Sequence, residues 1–262
     1  MSNTIAVVLS IFLSIVLPYQ LNAQKVISSI QGSIQYDYYV DTLSAKANLE
    51  AYKQKEPEAY KRFGNQLELL NGYTDDLKFT LELREDESYF SIDDRITPDD
   101  IMEQMTYQAA IIVTLGAKEG FYVNYDKKER SFFTKIENSK VEVTQPFNNC
   151  SWSLTGERKF SQGRVLMEAT CMLQLPTRPE GEQTLVRAWY DPSISLPFGP
   201  ADFHGLPGLI IELYIEGKET KGYVATYINI NKGNKAPIKL PKTIATLTYE
   251  EYAGKVMERS NK

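Results

Sequence analysis

The sequence predicts a mainly β (α+β) protein: a curved antiparallel sheet, or half-barrel, with inserted helices on its concave face. Three observations predict it. Seventeen tyrosines and eleven phenylalanines fall largely in alternating apolar and polar runs, the pattern of half-buried strands. Short strand-like segments separated by turn residues recur from Val141 to Ile230, as in antiparallel sheets. Helical periodicity is confined to stretches inserted before, between and after those strands.

Taken in order, Val26 to Val40 contains the alternation Ile34-Gln35-Tyr36-Asp37-Tyr38-Tyr39-Val40, a half-buried strand. Leu43 to Leu70 turns charged and rich in Ala, Leu, Glu and Lys, a helical excursion broken near Pro57. Leu77, Phe79, Leu81 and Leu83 alternate with polar partners, and Glu87 to Ile92 returns antiparallel across Arg84-Glu85-Asp86. Thr97-Pro98-Asp99-Asp100 reads as a helix start, with Thr97 as cap, Pro98 in the first position and Ile101 to Gln108 following. Gly120 to Tyr125 and Ser131 to Ile136 form a second hairpin. Short strands follow at Trp152 to Leu154, Arg164 to Leu173, Leu185 to Tyr190, Leu209 to Ile215 and Tyr223 to Ile230. A closing helix opens after Thr248, with Glu251 three residues on completing a capping box. Strand signals continue on both sides of every candidate linker, so residues 24–262 read as one domain.

The apolar stretch Ile5 to Pro18, followed by Leu21-Asn22-Ala23, reads as a secretory signal over residues 1–23. Its first residues carry no Lys or Arg, and no cysteine follows the cleavage site to take a lipid anchor. The longest later apolar run, Ala109 to Leu115, is too short to cross a bilayer. A net charge of −5 argues against nucleic acid or an anionic membrane as partner, because both need clustered cations. Cys150 and Cys171, the only cysteines, are read in an exported chain as one disulfide; two unpaired buried thiols are the alternative. A single histidine and the absence of Cys-x-x-Cys spacing imply no metal centre, and no motif calls for a cofactor.

Catalytic constellations are sparse. His204 is the only histidine, set in a turn where a partly exposed imidazole bonding a nearby carbonyl is expected, and no Gly-x-Ser-x-Gly string occurs. Acid pairs at Asp75-Asp76, Asp93-Asp94 and Asp99-Asp100 have local explanations in turns and caps. The last two pairs together could attract a calcium ion, but they lack the glycine-punctuated spacing of an EF-hand.

The richest motif is Phe203-His204-Gly205-Leu206-Pro207-Gly208-Leu209-Ile210, preceded by Ala188-Trp189-Tyr190 and Phe198-Gly199-Pro200. Pro192, Pro197 and Pro200 stiffen the connection, and an aromatic cluster of Trp189, Tyr190, Phe198 and Phe203 is expected to cover the turn. Gly208 follows Pro207, so a type II turn with positive φ at Gly208 is expected. Gly208→Val would then cost on the order of 1–3 kcal/mol, and His204→Ala almost nothing. The five side chains Trp189, Tyr190, Phe198, Phe203 and His204 are the candidate binding residues, and Gly205 to Ile210 the structural motif.

With Cys171 and the Pro192 to Pro197 segment, this string resembles the GLPGLI family of exported Bacteroidota proteins, over about Glu168 to Ile215. The chain departs from the usual pattern at Leu166 to Cys171 and in the longer loop Gln174 to Gln183. The resemblance implies a signal peptide and a β-rich domain in the periplasm or outside the cell, and no established reaction. Asp41-Thr42-Leu43 matches the Asp-Ser/Thr-apolar pattern resembling a Bacteroidota O-glycosylation signal, with Thr42 as acceptor in a polar turn. Asn149-Cys150-Ser151 fits a eukaryotic-type sequon, but a disulfide at its cysteine argues against its use. The curved sheet is similar to the half-barrel of periplasmic lipoprotein carriers. It implies a non-enzymatic envelope protein that binds an apolar small molecule or an envelope protein partner in its groove. An acid-dependent hydrolase and a structural accessory of an outer-membrane complex are the alternatives. N-terminal sequencing of the exported protein should find Gln24, allowing for cyclisation of the new glutamine; an intact Met1 in the membrane fraction would overturn cleavage.

Overall fold

Strand-forming residues alternate along β1 (Ile30–Val40), β2 (Lys78–Arg84) and β3 (Glu87–Ile92), and that alternation decides which side chains face inward. Phe79, Leu81 and Leu83 of β2 are buried while their neighbours are not. The computed structural model describes residues 30–93, 99–116, 118–148, 150–174, 183–217, 219–233 and 237–260. The expected signal segment, Asp94, Thr97, Pro98, Asn149 and residues 175–182 lie outside them. Further strands are β4 (Lys118–Asn124), β5 (Glu129–Ile136), β6 (Ser139–Gln145), β7 (Ser153–Ser161), β8 (Arg164–Gln174), β9 (Gln183–Asp191), β10 (Leu209–Ile215), β11 (Lys221–Lys232) and β12 (Ala245–Thr248).

These strands form one open sheet in the order β12-β6-β5-β4-β3-β2-β1-β11-β10-β9-β8-β7. The expected mainly β fold with inserted helices is what the chain adopts, with one correction: β12 runs parallel to β6, so the sheet is mixed. The hairpin of β5 and β6 turns through Glu137 and Asn138, both at positive φ, and that of β7 and β8 through Gln162 and Gly163 likewise. Such turns match the right-handed twist of paired strands.

Connectivity forces the sheet to curl. β6 lies next to one edge and β7 is the other edge, ten strand positions away. In a flat sheet those positions would be roughly 48 Å apart. Yet only residues 146–152 join Gln145 to Ser153, and a chain that short reaches about 29 Å at most. The sheet must therefore bend into a bowl, with the 146–152 link as a strap across its mouth.

Among the described residues four helices accompany the sheet: α1 (Thr42–Lys55), α2 (Pro57–Asp76), α3 (Ile101–Leu115) and α4 (Tyr249–Ser260). Pro57 does break the helical excursion, opening α2 at its first turn. The expected Thr97 cap is corrected, because Asp100 caps α3 by accepting from the Met102 and Glu103 amides at 2.9 and 3.0 Å. α3 also continues past Gln108 to Leu115, ending at Gly116 with φ 63°. Its C-terminus is tied to β11 by Tyr223, whose hydroxyl donates to the Thr114 carbonyl at 2.6 Å. Tyr73 of α2 meets Tyr107 of α3 edge-on, and Tyr252 of α4 meets Phe132 of β5. The capping box at the last helix forms as expected: Glu251 accepts from the Thr248 amide and Thr248 Oγ1 from the Glu251 amide.

The main core lies on the inner face, where Phe79, Phe90 and Tyr223 pack with ring centroids 5.2–5.6 Å apart. A smaller cluster of Tyr89, Tyr122 and Phe133 sits apart from it, covered by Ile238 from the connection between β11 and β12. Cys150 of the strap and Cys171 of β8 form the expected disulfide, with Cα atoms 5.9 Å apart and a sequence separation of 21. On chain entropy alone that loop contributes about 3 kcal/mol. Replacing both cysteines by Ala should lower stability in urea denaturation by about that amount; an unchanged midpoint would mean the strap is held without it.

Candidate functional site

The loop between β9 and β10 folds back on itself through backbone hydrogen bonds. The Leu209 amide donates to the Ile194 carbonyl at 3.0 Å, Ile210 to Phe198 at 2.9 Å and Gly205 to Pro197 at 2.9 Å. Asp191 anchors its start, accepting from the Ser193 amide at 2.8 Å, from Ser193 Oγ at 2.6 Å and from Arg164 Nη1 at 2.9 Å. Burial pushes the Asp191 carboxyl upward, but the Ser193 and Arg164 donors outweigh it and hold the group below its ordinary range. The loop's far end is fixed to the core by Tyr36, whose buried hydroxyl donates to the Ile210 carbonyl at 2.6 Å.

Gly208 does not adopt the expected positive φ. That conformation belongs to Gly205, at 98°. A Cβ on Gly208 would instead be driven into the Asp191 carbonyl group and sit 3.0 Å from the Pro192 Cα. Glycine is required at 208 by close backbone approach rather than by turn type.

His204 is buried, not partly exposed: only 4% of its surface is accessible. The strap surrounds it. His204 Nε2 lies 2.8 Å from the Phe147 carbonyl, and because a carbonyl can only accept, Nε2 carries the proton. From the strap's other end, Trp152 Nε1 donates to the His204 carbonyl at 2.8 Å. The Phe147 ring lies 4.6 Å from the imidazole and the Tyr125 ring 5.6 Å, while Tyr125 also meets Phe198 at 5.8 Å. Three expected binding residues therefore meet in or beside one aromatic plug: Phe198, Phe203 and His204, with Phe203 against Trp152. The other two do not join it. Tyr190 is core, 3.8 Å from the Met167 sulfur. Trp189 points to the opposite face, because adjacent strand residues alternate, and lies under Lys159 Nζ at 4.4 Å. There Lys159 also pairs with the buried Glu212, which accepts from Tyr214 as well.

Beside the plug opens a cleft of about 1820 Å³. Phe121, Phe132, Phe203, Tyr223, Tyr249 and Tyr252 contribute to its wall, and Tyr38 and Ile215 extend it. Six charged residues among those described also line it: Lys118, Arg130, Asp202, Glu216, Glu219 and Lys221, with Glu216 paired to Arg187 and Glu219 to Lys221. Lys118 Nζ rests over the Phe121 and Phe132 rings at 5.1 and 4.9 Å, and Arg130 Nη1 lies 3.5 Å from Asp202 Oδ2. Burial, reinforced by Arg130 and opposed by Asp202, holds the Lys118 ammonium below its ordinary range. None of Lys118, Arg130 and Asp202, nor Tyr125 or Phe147, was singled out from sequence. Asp202 stands just before Phe203 of the motif and was the one within reach of a sequence argument.

The remaining candidates have local roles. Thr42 is exposed but opens α1 rather than lying in a turn, with Asp41 as its cap. Asp75 and Asp76 end α2 exposed to solvent, Asp93 accepts from Thr80, and Asp100 caps α3. Among the described residues no group of three or more His, Cys, Asp or Glu side chains is placed to hold a metal ion, and no helix is long and apolar enough to cross a membrane.

Because burial lowers the His204 pKa from its ordinary 6.5, the unfolded chain binds the proton more readily. Stability should be complete above pH 6.5 and fall as the pH drops below it. Denaturation at stepped pH should show that decline in the wild type and not in His204→Gln. A decline of equal slope in both would assign it to other groups.

Residues 105–212 match the model of a family described as "Protein of unknown function (Porph_ging)". That stretch runs from α3 into β10 and includes the strap, the disulfide, the loop and Lys118, Arg130 and Asp202 of the cleft. No curated protein matches the chain. A solved structure of PNGF-II in a C2 space group aligns with TM-score 0.51 and 12% identity over 87% of this chain. A second, in a P21 space group, aligns with TM-score 0.49 and 11% identity over 88%. The chain spans 33% of the length of each. The first likeness shows the fold.

Proposed function

We propose that this is an exported, GLPGLI-type cell-envelope protein, periplasmic or secreted, that binds an apolar ligand in its cleft without transforming it. The observation that carries the reading is the cleft itself: about 1820 Å³ with aromatic side chains prominent in its wall. Concave, largely apolar sites with a few convergent polar groups are where small molecules bind. The strap and disulfide support the same reading, since they hold the bowl to one curvature and so keep the cleft preformed. The apolar N-terminal stretch and the disulfide both suit an oxidising compartment outside the cytoplasm.

Native mass spectrometry of the protein from its own envelope should find a co-purifying apolar molecule. In vitro, the neutral fluorophore N-phenyl-1-naphthylamine should bind and brighten. Glutamates at Ile112 and Ile215, which line the cleft and are not fully buried, should weaken that binding about tenfold or more by placing charge in the apolar wall. Unchanged fluorophore binding in the double variant would sink the assignment to this cleft.

A further inference from the structure

We propose that the charged part of the cleft holds the carboxylate head of a long-chain amphiphile through Lys118 and Arg130, with the chain along the aromatic wall. The inference rests on the reading of the cleft as a ligand site and specifies the chemistry of that ligand.

Three observations support it. Among the charged residues lining the cleft, Arg130 pairs with Asp202, Lys221 with Glu219 and Glu216 with Arg187, so Lys118 is the lining cation that these pairs leave over. Lys118 has aromatic faces beneath its ammonium but no ion-pair partner among the described residues. Arg130 is more unusual. Its side chain is 8% exposed, Asp202 engages Nη1, and Nε is buried with no hydrogen-bond partner. A buried guanidinium N–H without an acceptor is unfavourable. A planar carboxylate matches the adjacent donors of a guanidinium fork better than a neutral hydroxyl does. A monoanionic head would satisfy that donor and give Lys118 a counter-ion. Phe121 and Phe132, which carry the lysine, also line the cleft, so charged head and apolar chain would meet the protein without a break.

The test compares hexadecanoate with hexadecan-1-ol, each below its aggregation threshold at neutral pH, as competitors of the bound neutral fluorophore. The wild type should prefer the acid by about tenfold or more, the scale of a charge-assisted hydrogen bond. Arg130→Gln should reduce the preference to about threefold or less while leaving hexadecan-1-ol binding in place. Should that buried substitution prevent folding, Lys118→Met, at a half-buried site, supplies the same measurement. Equal affinity of the wild type for acid and alcohol would overturn the head-group site and leave the apolar cleft standing. Failure of both ligands to bind would overturn the cleft reading with it. A preference for the acid that survives in both variants would place the anion elsewhere and reject this assignment.

Discussion

Everything else in this structure depends on the two-sided hold of the strap on His204. A curled sheet of this width has two free edges, and nothing in strand pairing fixes how far it bends. Here the strap joins the region of one edge to the other. Phe147 accepts from the imidazole, Trp152 donates to the histidine backbone, and Cys150 ties the same segment to β8. The β9–β10 loop fills the space beneath. Its own hydrogen bonds to Pro197, Phe198 and Ile194 make it a rigid plug rather than a passive linker. Edge strand β7 is mostly exposed and carries Glu157, Arg158 and Lys159, charges that discourage pairing with another chain.

The same short segment serves both stability and the cleft. Asp202 pairs with Arg130, Phe203 forms part of the wall, His204 receives the strap, and Leu209 and Ile210 enter the core. Damage to this segment would alter the shape of the cleft and the curvature of the sheet together. The charged groups show the converse tension. An apolar bowl would be more favourable without Lys118, Arg130 and Asp202, because desolvating charge opposes folding. Their position beside aromatic walls, with Lys118 resting over Phe121 and Phe132, is what distinguishes this cleft from a plain hydrophobic groove.

Elements with strong local signals were legible from sequence. The β10 boundaries, Leu209 to Ile215, agree with the reading, because a glycine-proline turn feeds an uninterrupted apolar run. The β2–β3 hairpin and the Thr248–Glu251 box were equally local. The start of α3 was displaced because Thr97, Asp99 and Asp100 are all competent caps, and only the geometry chose Asp100. β7 was read only as far as Leu154, since an exposed edge strand has no buried face to impose alternation. β12 is four residues long and exists by pairing with β6, about a hundred residues earlier in the chain.

The sequence by itself determined the strand-rich class, the breaks at Pro57 and around the β9–β10 loop, and the pairing of the only two cysteines. Each follows from composition, local periodicity or the absence of another partner. Tertiary structure alone decided that His204 is buried, since its partner Phe147 lies 57 residues away. It also decided that Gly208 is needed for close approach to Asp191 rather than for its backbone angle. Trp189 and Tyr190 were separated by strand alternation, a local rule that the sequence reading set aside in favour of an aromatic cluster. The meeting of the cleft charges lay beyond any local rule. Lys118, Arg130 and Asp202 come from two strands and a distant loop, and only the curl of the sheet brings them to one wall. Curvature is set by the length of a connection measured against the number of strands it must cross, and that relation does not exist until strand order is known.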